Sequence, residues 1–152
     1  MEKKEIMDKI LSLYDECFVF YLATVDENGI PGIRAIENLR YSKNFPEMAD
    51  SFKGMEKSFD TCMATFKSSN KTKDMERTGK ATIYFNNPPE FFGVSMYCDV
   101  VFLDDPESKK KYWAEKFKYF WTGTDDPEYK VMKLVPFKVD GWTGEHQFHY
   151  DL

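Results

Sequence analysis

Cysteine is scarce in this chain and never paired at short spacing. Cys17, Cys62 and Cys98 lie far apart and form no CxxC. An odd number at such spacing excludes a disulfide framework and a zinc cluster, and reads as reduced thiols in a cytoplasmic protein. No hydrophobic run is long enough to cross a bilayer, so no membrane contact is expected. The opening residues Met1 to Glu5 begin an amphipathic segment and not a signal peptide. A basic excess is missing too: the net charge is -5, which argues against nucleic acid but leaves room for a local basic pocket. Histidine is limited to His146 and His149. Their HxxH spacing brings two ligands together on a helix, but a third is lacking, so no metal site is assigned. Neither a Ser-His-Asp set nor a carboxylate dyad can be built, and no catalytic residue is named.

What is abundant is aromatic. Phe, Tyr and Trp make up 17% of 152 residues. Such a surplus suits a flat aromatic ligand or a large apolar interface, and equally a core rich in rings. The length fits one domain spanning 1–152 with a proper core.

Lys3 to Cys17 carries Ile6, Ile10, Leu13 and Tyr14 at helical spacing. Phe18 to Val25 is dense in β-formers, Asp26-Glu27-Asn28-Gly29 is a hairpin turn in which Asn-Gly supplies positive φ, and Ile30 to Leu39 is the returning strand. In that strand Arg34, Ile36 and Asn38 share one face, and Ile33, Ala35, Glu37 and Leu39 the other. Arg34 and Glu37 face either solvent or a site. Residues 41–60 read as an irregular, partly helical insertion. Further strands are expected at Thr61 to Ala64, Lys80 to Phe85, Gly93 to Leu103 and Val131 to Val139. A helix is expected from Asp104-Asp105-Pro106 to about Trp121, and 143–152 is a polar tail with no assignment. This order favours an antiparallel barrel with added helices.

The densest chemistry lies from Ala64 to Lys73, where four hydroxyl side chains and three lysines fall within ten residues. The segment bridges a strand and a short helix, Lys71 to Thr78, that stops at Gly79. Such a junction offers an anion helix N–H groups, hydroxyls and cations together, and a phosphate fits it. The plainer reading is a capped helix with a solvated lysine.

Three pieces, in this order, resemble the pyridoxamine 5′-phosphate oxidase-like superfamily of FMN-binding split barrels. They are Leu22 to Pro31 followed by Arg34; then Thr65, Ser69 and Lys71; then Val100 to Asp105, a helix, Gly123-Thr124-Asp125-Asp126-Pro127 and a closing strand ending in Trp142. The last piece is most similar to the bacterial general stress protein branch. The resemblance implies a six-stranded antiparallel split β-barrel, mainly β with added helices. It further implies a homodimer with two FMN sites at the interface, each lined by both subunits, and an oxidoreductase of unnamed small-molecule substrate. By that resemblance Arg34 reaches the flavin phosphate or ring edge. Ala35, Ile36 and Glu37 run along the flavin by backbone contacts, Thr65 sits against the ring or ribityl chain, and Ser69 and Lys71 hold the phosphate. Trp121 or Trp142 is a candidate to flank the flavin from the partner subunit.

Two departures stand out. Oxidases of the family often carry a second basic residue after the phosphate serine; here it is Asn70, with Lys67 or Lys73 as candidates to compensate. They also end in an arginine- and histidine-containing motif that grips pyridoxal phosphate, whereas no arginine follows Arg77. Oxidation of pyridoxamine phosphate is therefore not expected. The 41–60 insertion is longer than in those enzymes and is placed to cover or reshape the site. The alternatives are a non-catalytic flavin or haem carrier or sensor, and a dimer with an empty loop.

Overall fold

The computed structural model describes residues 1–144 and 146–152. Helix α1, Lys3–Glu16, buries Ile6, Ile10, Leu13 and Tyr14. Each such side chain taken from water stabilises the fold by about 2 kcal/mol. A capping box starts the helix: the Glu2 backbone N–H donates to the Glu5 carboxylate at 2.8 Å. At the other end the Asn38 amide donates to the carbonyls of Tyr14 and Cys17, at 2.8 and 2.9 Å. Asn38 thus serves the helix terminus with its side chain while its backbone N–H donates to the Phe18 carbonyl at 3.1 Å.

Strands β1 (Val19–Val25) and β2 (Pro31–Glu37) form the first hairpin. Only Gly29 takes positive φ in its turn, at 78°. Asp26 replaces the expected contribution of Asn28: its carboxylate accepts from the N–H groups of Asn28 and Ile30 at 2.8 and 2.9 Å. After β3 (Thr61–Phe66), helix α2 (Asn70–Thr78) is capped by Ser69 and closed by Gly79 at φ 65°, as its sequence suggests. Strands β4 (Lys80–Asn87), β5 (Phe92–Phe102) and β6 (Tyr129–Thr143) follow.

Six strands run in the spatial order β2-β1-β4-β5-β6-β3, all antiparallel, as the six-stranded split barrel. Strand β6 is long enough to serve two neighbours on one edge. Its residues 129–134 pair with β3, and its residues 138–143 pair with a seventh strand, β7, His146–Asp151. At the changeover the β5–β6 register slips between Tyr97 and Cys98, whose partners Lys138 and Pro136 skip Phe137. Pro136 has no N–H to donate, so a bulge is where a strand can hold it.

Two sequence expectations are corrected here. The tail at 143–152 is not an unassigned segment but the end of β6 and the strand β7. The helix expected up to Trp121 ends far sooner: α3 covers Pro106–Lys111, and a separate 3-10 turn covers Glu115–Tyr119. Tyr112 and Ala114 are both buried. Two positions apart, they would sit some 200° apart on one α-helix, so the helix must break for both to reach the core.

Two cores result. One lies between α1 and the barrel strands. The other joins Phe45, Met48 and Phe52 of the insertion to Tyr112, Phe117, Trp121 and Tyr129. Arg40 clasps the insertion: its guanidinium lies 4.2 Å from the Tyr14 ring centre and donates to the carbonyls of Met55, Ser58 and Asp60, at 3.1, 2.7 and 2.9 Å.

Candidate functional site

Strands β2 and β3 are the two ends of the strand path, and the barrel is open between them. An edge strand keeps half of its backbone N–H and C=O groups unpaired. The opening is filled by a cleft of about 350 Å³. Its walls are Ala35, Ile36, Glu37 and Leu39 from one side, Ala64, Thr65 and Phe66 from the other, Lys71 at one end, and Phe117, Phe120 and Trp121 across it. Phe117 and Trp121 are buried in this wall, whereas Phe120 is 55% exposed. Phe117 and Trp121 meet edge-on at 5.3 Å, and Trp121 packs on Phe66 at 5.0 Å and on Tyr129 at 5.1 Å. The Nε1–H of Trp121 is buried and has no hydrogen-bond partner.

Of the seven residues singled out from the sequence, Ala35, Ile36, Glu37, Thr65 and Lys71 line this cleft together. Arg34 lines a neighbouring, more polar cleft of about 560 Å³, between the β1–β2 turn and α2. Its Nη1 donates to Thr24 Oγ1 at 2.7 Å and to the carbonyls of Leu22 and Gly32 at 3.3 Å each. Thr24 in turn donates to Asp74 at 2.9 Å, and Asp74 pairs with Arg77 at 3.4 Å. Arg34 is therefore held on the face of β2 that lines this polar cleft.

Ser69 lines neither cleft. Its hydroxyl lies 2.9 Å from the Phe66 carbonyl and 2.9 Å from Thr72 Oγ1, and it accepts from the Thr72 N–H at 3.4 Å. It acts as the α2 cap. Lys71 itself is half-buried. Desolvation, and then the nearby Arg34 charge, hold its ammonium below the usual 10.5. Two cations thus stand where the clefts meet, and among the described residues neither is ion-paired to a carboxylate. Glu37 is engaged elsewhere, by Lys116 at 3.1 Å.

Other candidates separate in space. Lys73 lines the second cleft, as does Asn70, whereas Lys67 lines neither. Trp121 lines the cleft of its own chain. The insertion does not cover the cleft; it backs the aromatic wall, with Phe45 at 6.1 Å from Phe117 and Lys116 4.0 Å over the Phe45 ring. His146 and His149 lie on a strand, so an interval of three turns them to opposite faces. His149 Nδ1 meets Asp140 at 2.8 Å. Among the described residues no three His, Cys, Asp or Glu side chains converge on a metal position. Burial pushes the thiols of Cys17 and Cys62 up to about 11, and that of Cys98 further. No described helix is long and apolar enough to cross a membrane.

An antiparallel barrel open between β2 and β3 defines a class, the split-barrel proteins. The chain belongs within it to the pyridoxamine 5′-phosphate oxidase family, whose sequence profile matches residues 6–143. No curated protein sequence matches. Solved structures share the fold at low identity. A Clostridium acetobutylicum protein related to general stress protein 26 superposes with a TM-score of 0.78 at 18% identity, over 99% of this chain and 97% of its own. General stress protein 26 of Bacillus anthracis gives 0.65 at 14%, over 95% and 98%. A haem-binding protein of Mycobacterium smegmatis gives 0.68 at 11%, over 99% of this chain and 60% of its own.

Proposed function

We propose that the chain is an FMN-binding flavoprotein, an oxidoreductase of a small-molecule substrate, working in the cytoplasm as a homodimer. The observation that carries this is Lys71 beside Arg34 at the meeting of the two clefts. Two cations without a carboxylate between them raise the energy of the free site, and a phosphate dianion relieves it. The donor set fits FMN: forked and point cations and α2 N–H groups for the phosphate, an unpaired strand edge at Ala35 to Glu37, the Thr65 side chain, and aromatic walls for a flat ring. The redox chemistry of such a site belongs to the cofactor. The chain anchors its phosphate, orients its ring against β2 and excludes water with Phe66, Phe117 and Trp121. Pyridoxamine phosphate lies outside the expected substrates: β7 carries no arginine and lines neither cleft.

Dimerisation is supported by apolar side chains on the outer strand faces. Tyr21, Val25, Ile33 and Phe137 are 39, 44, 67 and 40% exposed. A second copy covering them would bury a contiguous patch and wall the ring cleft from the far side.

An absorption spectrum of the purified protein, as isolated and after FMN addition and desalting, tests the reading. Flavin bands near one per subunit support it. A colourless protein that releases FMN on desalting sinks it. The haem alternative is favoured only by the shared fold of the mycobacterial structure. Among the described residues the ring cleft has no His, Cys or Met to ligate iron, and a Soret band in the same spectrum would reverse this preference.

A further inference from the structure

Arg34 is held by one nitrogen of its guanidinium. Nη1 donates to Thr24 Oγ1 at 2.7 Å and to the carbonyls of Leu22 and Gly32 at 3.3 Å each. Among the described residues Nε and Nη2 have no hydrogen-bond partner. The guanidinium lies back along β2, where Gly32 makes room for it: a Cβ there would lie 3.0 Å from Nη2. Nε and Nη2 form the fork that matches two oxygens of one phosphate.

Thr24 is the pivot of this hold. Its hydroxyl has a single proton, which it gives to Asp74 Oδ2 at 2.9 Å. Toward Arg34 it can only accept, as a guanidinium requires. The bonds therefore run one way, from Arg34 to Thr24 to Asp74, and each polarises the next. Thr24 is 2% exposed and Asp74 7%, so little water competes for these bonds. Asp74 Oδ1 is occupied by Arg77 at 3.4 Å. On α2, Asp74 comes one helical turn after Lys71. One buried relay thus ties β1, β2 and α2 together, and with them both cations of the junction.

We infer that Thr24 and Asp74 are positioning residues for the flavin phosphate: they fix Arg34 by Nη1 so that its Nε–Nη2 fork is presented to the dianion beside Lys71. This rests on the flavin reading. Neither residue touches the phosphate, and both act through Arg34. The freedom that a long side chain would lose on binding is already lost in the free protein. The Thr24 hydroxyl also stands between Arg34 and the Asp74 carboxylate, which would otherwise compete for the fork.

The test is a flavin-fluorescence titration of the full chain with FMN and with riboflavin, which has the same ring and no phosphate. It is run on the natural sequence, Thr24→Val, Thr24→Ser and Asp74→Asn, each with its melting temperature. Thr24→Val keeps the side-chain shape and deletes the hydroxyl. It is expected to weaken FMN roughly five- to thirtyfold and riboflavin less than about twofold, with Thr24→Ser restoring FMN to within about twofold. Asp74→Asn should weaken FMN in the same selective way. A carboxylate that merely opposed the phosphate would, once neutralised, leave FMN bound more tightly. A purely structural role would weaken both ligands alike. Equal losses for the two ligands, FMN unmoved in Thr24→Val, or FMN unchanged or tighter in Asp74→Asn overturns the positioning role and leaves the flavin reading standing. A natural sequence that binds neither flavin, or binds FMN no tighter than riboflavin, overturns the two together.

Discussion

The carboxylate of Glu37 meets Lys116 Nζ at 3.1 Å, across 79 residues of sequence. The pair ties the edge strand β2 to the turn that carries Phe117, and Lys116 also lies over the Phe45 ring. It fixes the width of the ring cleft from behind. Both groups are partly exposed, so solvent discounts the pair to at most about 1 kcal/mol of stability. Lys116→Ala is expected to leave the melting temperature nearly unchanged while FMN dissociates several-fold faster, because the aromatic wall is no longer held. Stopped-flow release of FMN measures it; an unchanged off-rate would show that the wall stands without the strut.

On the FMN reading, cofactor affinity should follow the ionisation of Lys71. Burial and Arg34 depress its ammonium pKa in the free protein, and a bound phosphate would raise it again. Binding therefore takes up a proton wherever the free site has lost one. FMN affinity should be level through neutral pH, then fall as pH rises through the depressed value, starting below the usual 10.5. The same depression means that charged Lys71 costs the free fold stability at neutral pH, a cost relieved as it deprotonates. Lys71→Met should lower affinity at neutral pH by roughly 1–3 kcal/mol and remove the alkaline limb. Isothermal titration between pH 7 and pH 10 reads both, and a limb that persists in Lys71→Met would assign the proton to another group.

Much of the fold could be read from short-range signals. Ser69 and Gly79 bracket α2 because capping chemistry is local, and Ile6, Ile10, Leu13 and Tyr14 mark α1 by period alone. Five of the residues named from a resemblance, Ala35, Ile36, Glu37, Thr65 and Lys71, line one cleft. What escaped was long-range or weakly patterned. Thr24 and Asp74, which position Arg34, lie 50 residues apart and have no common signature. The helix expected up to Trp121 breaks after Lys111, because burying both Tyr112 and Ala114 decides the backbone. Strand β7 offers only Phe148 and Tyr150 as apolar alternation, too little to separate it from a tail.

Arg40 should be the most sensitive residue of the insertion. It is largely buried, and it satisfies three loop carbonyls with one planar fork. Arg40→Met leaves those carbonyls short of donors and is expected to cost about 2–4 kcal/mol. Arg40→Lys should recover only part, since one ammonium cannot reproduce the fork. Urea denaturation followed by tryptophan fluorescence decides it; a loss under about 0.5 kcal/mol for Arg40→Met would mean that the loop holds itself.

The thiols should be inert in the native state. At pH 8 a thiol near pKa 11 is about a hundredfold less ionised than one at the ordinary 9.0. Iodoacetamide should label Cys17 slowly and Cys62 and Cys98 only after unfolding, as intact-mass spectrometry would show. Rapid native labelling of Cys62 would place it outside the second core.

Strand β7 stands or falls with Gly141. A Cβ at this position would lie 2.3 Å from Phe148 Cζ and 2.5 Å from the Gly93 carbonyl oxygen. The first neighbour is a ring that packs on Phe92 at 5.9 Å; the second is backbone of the adjacent strand and cannot yield cheaply. Gly141→Ala must therefore push β7 off its edge of β6 or spread β5 from β6, at about 1–3 kcal/mol. Phe148→Ala removes the first clash and leaves the second. If the ring is what blocks the methyl group, Gly141→Ala should cost less in a Phe148→Ala background than alone. If the Gly93 carbonyl dominates, the two losses should add, and a thermal-melt double-mutant cycle separates the cases. Additive losses would place the constraint in the β5–β6 pairing and make β7 a strand laid over a junction that was already fixed.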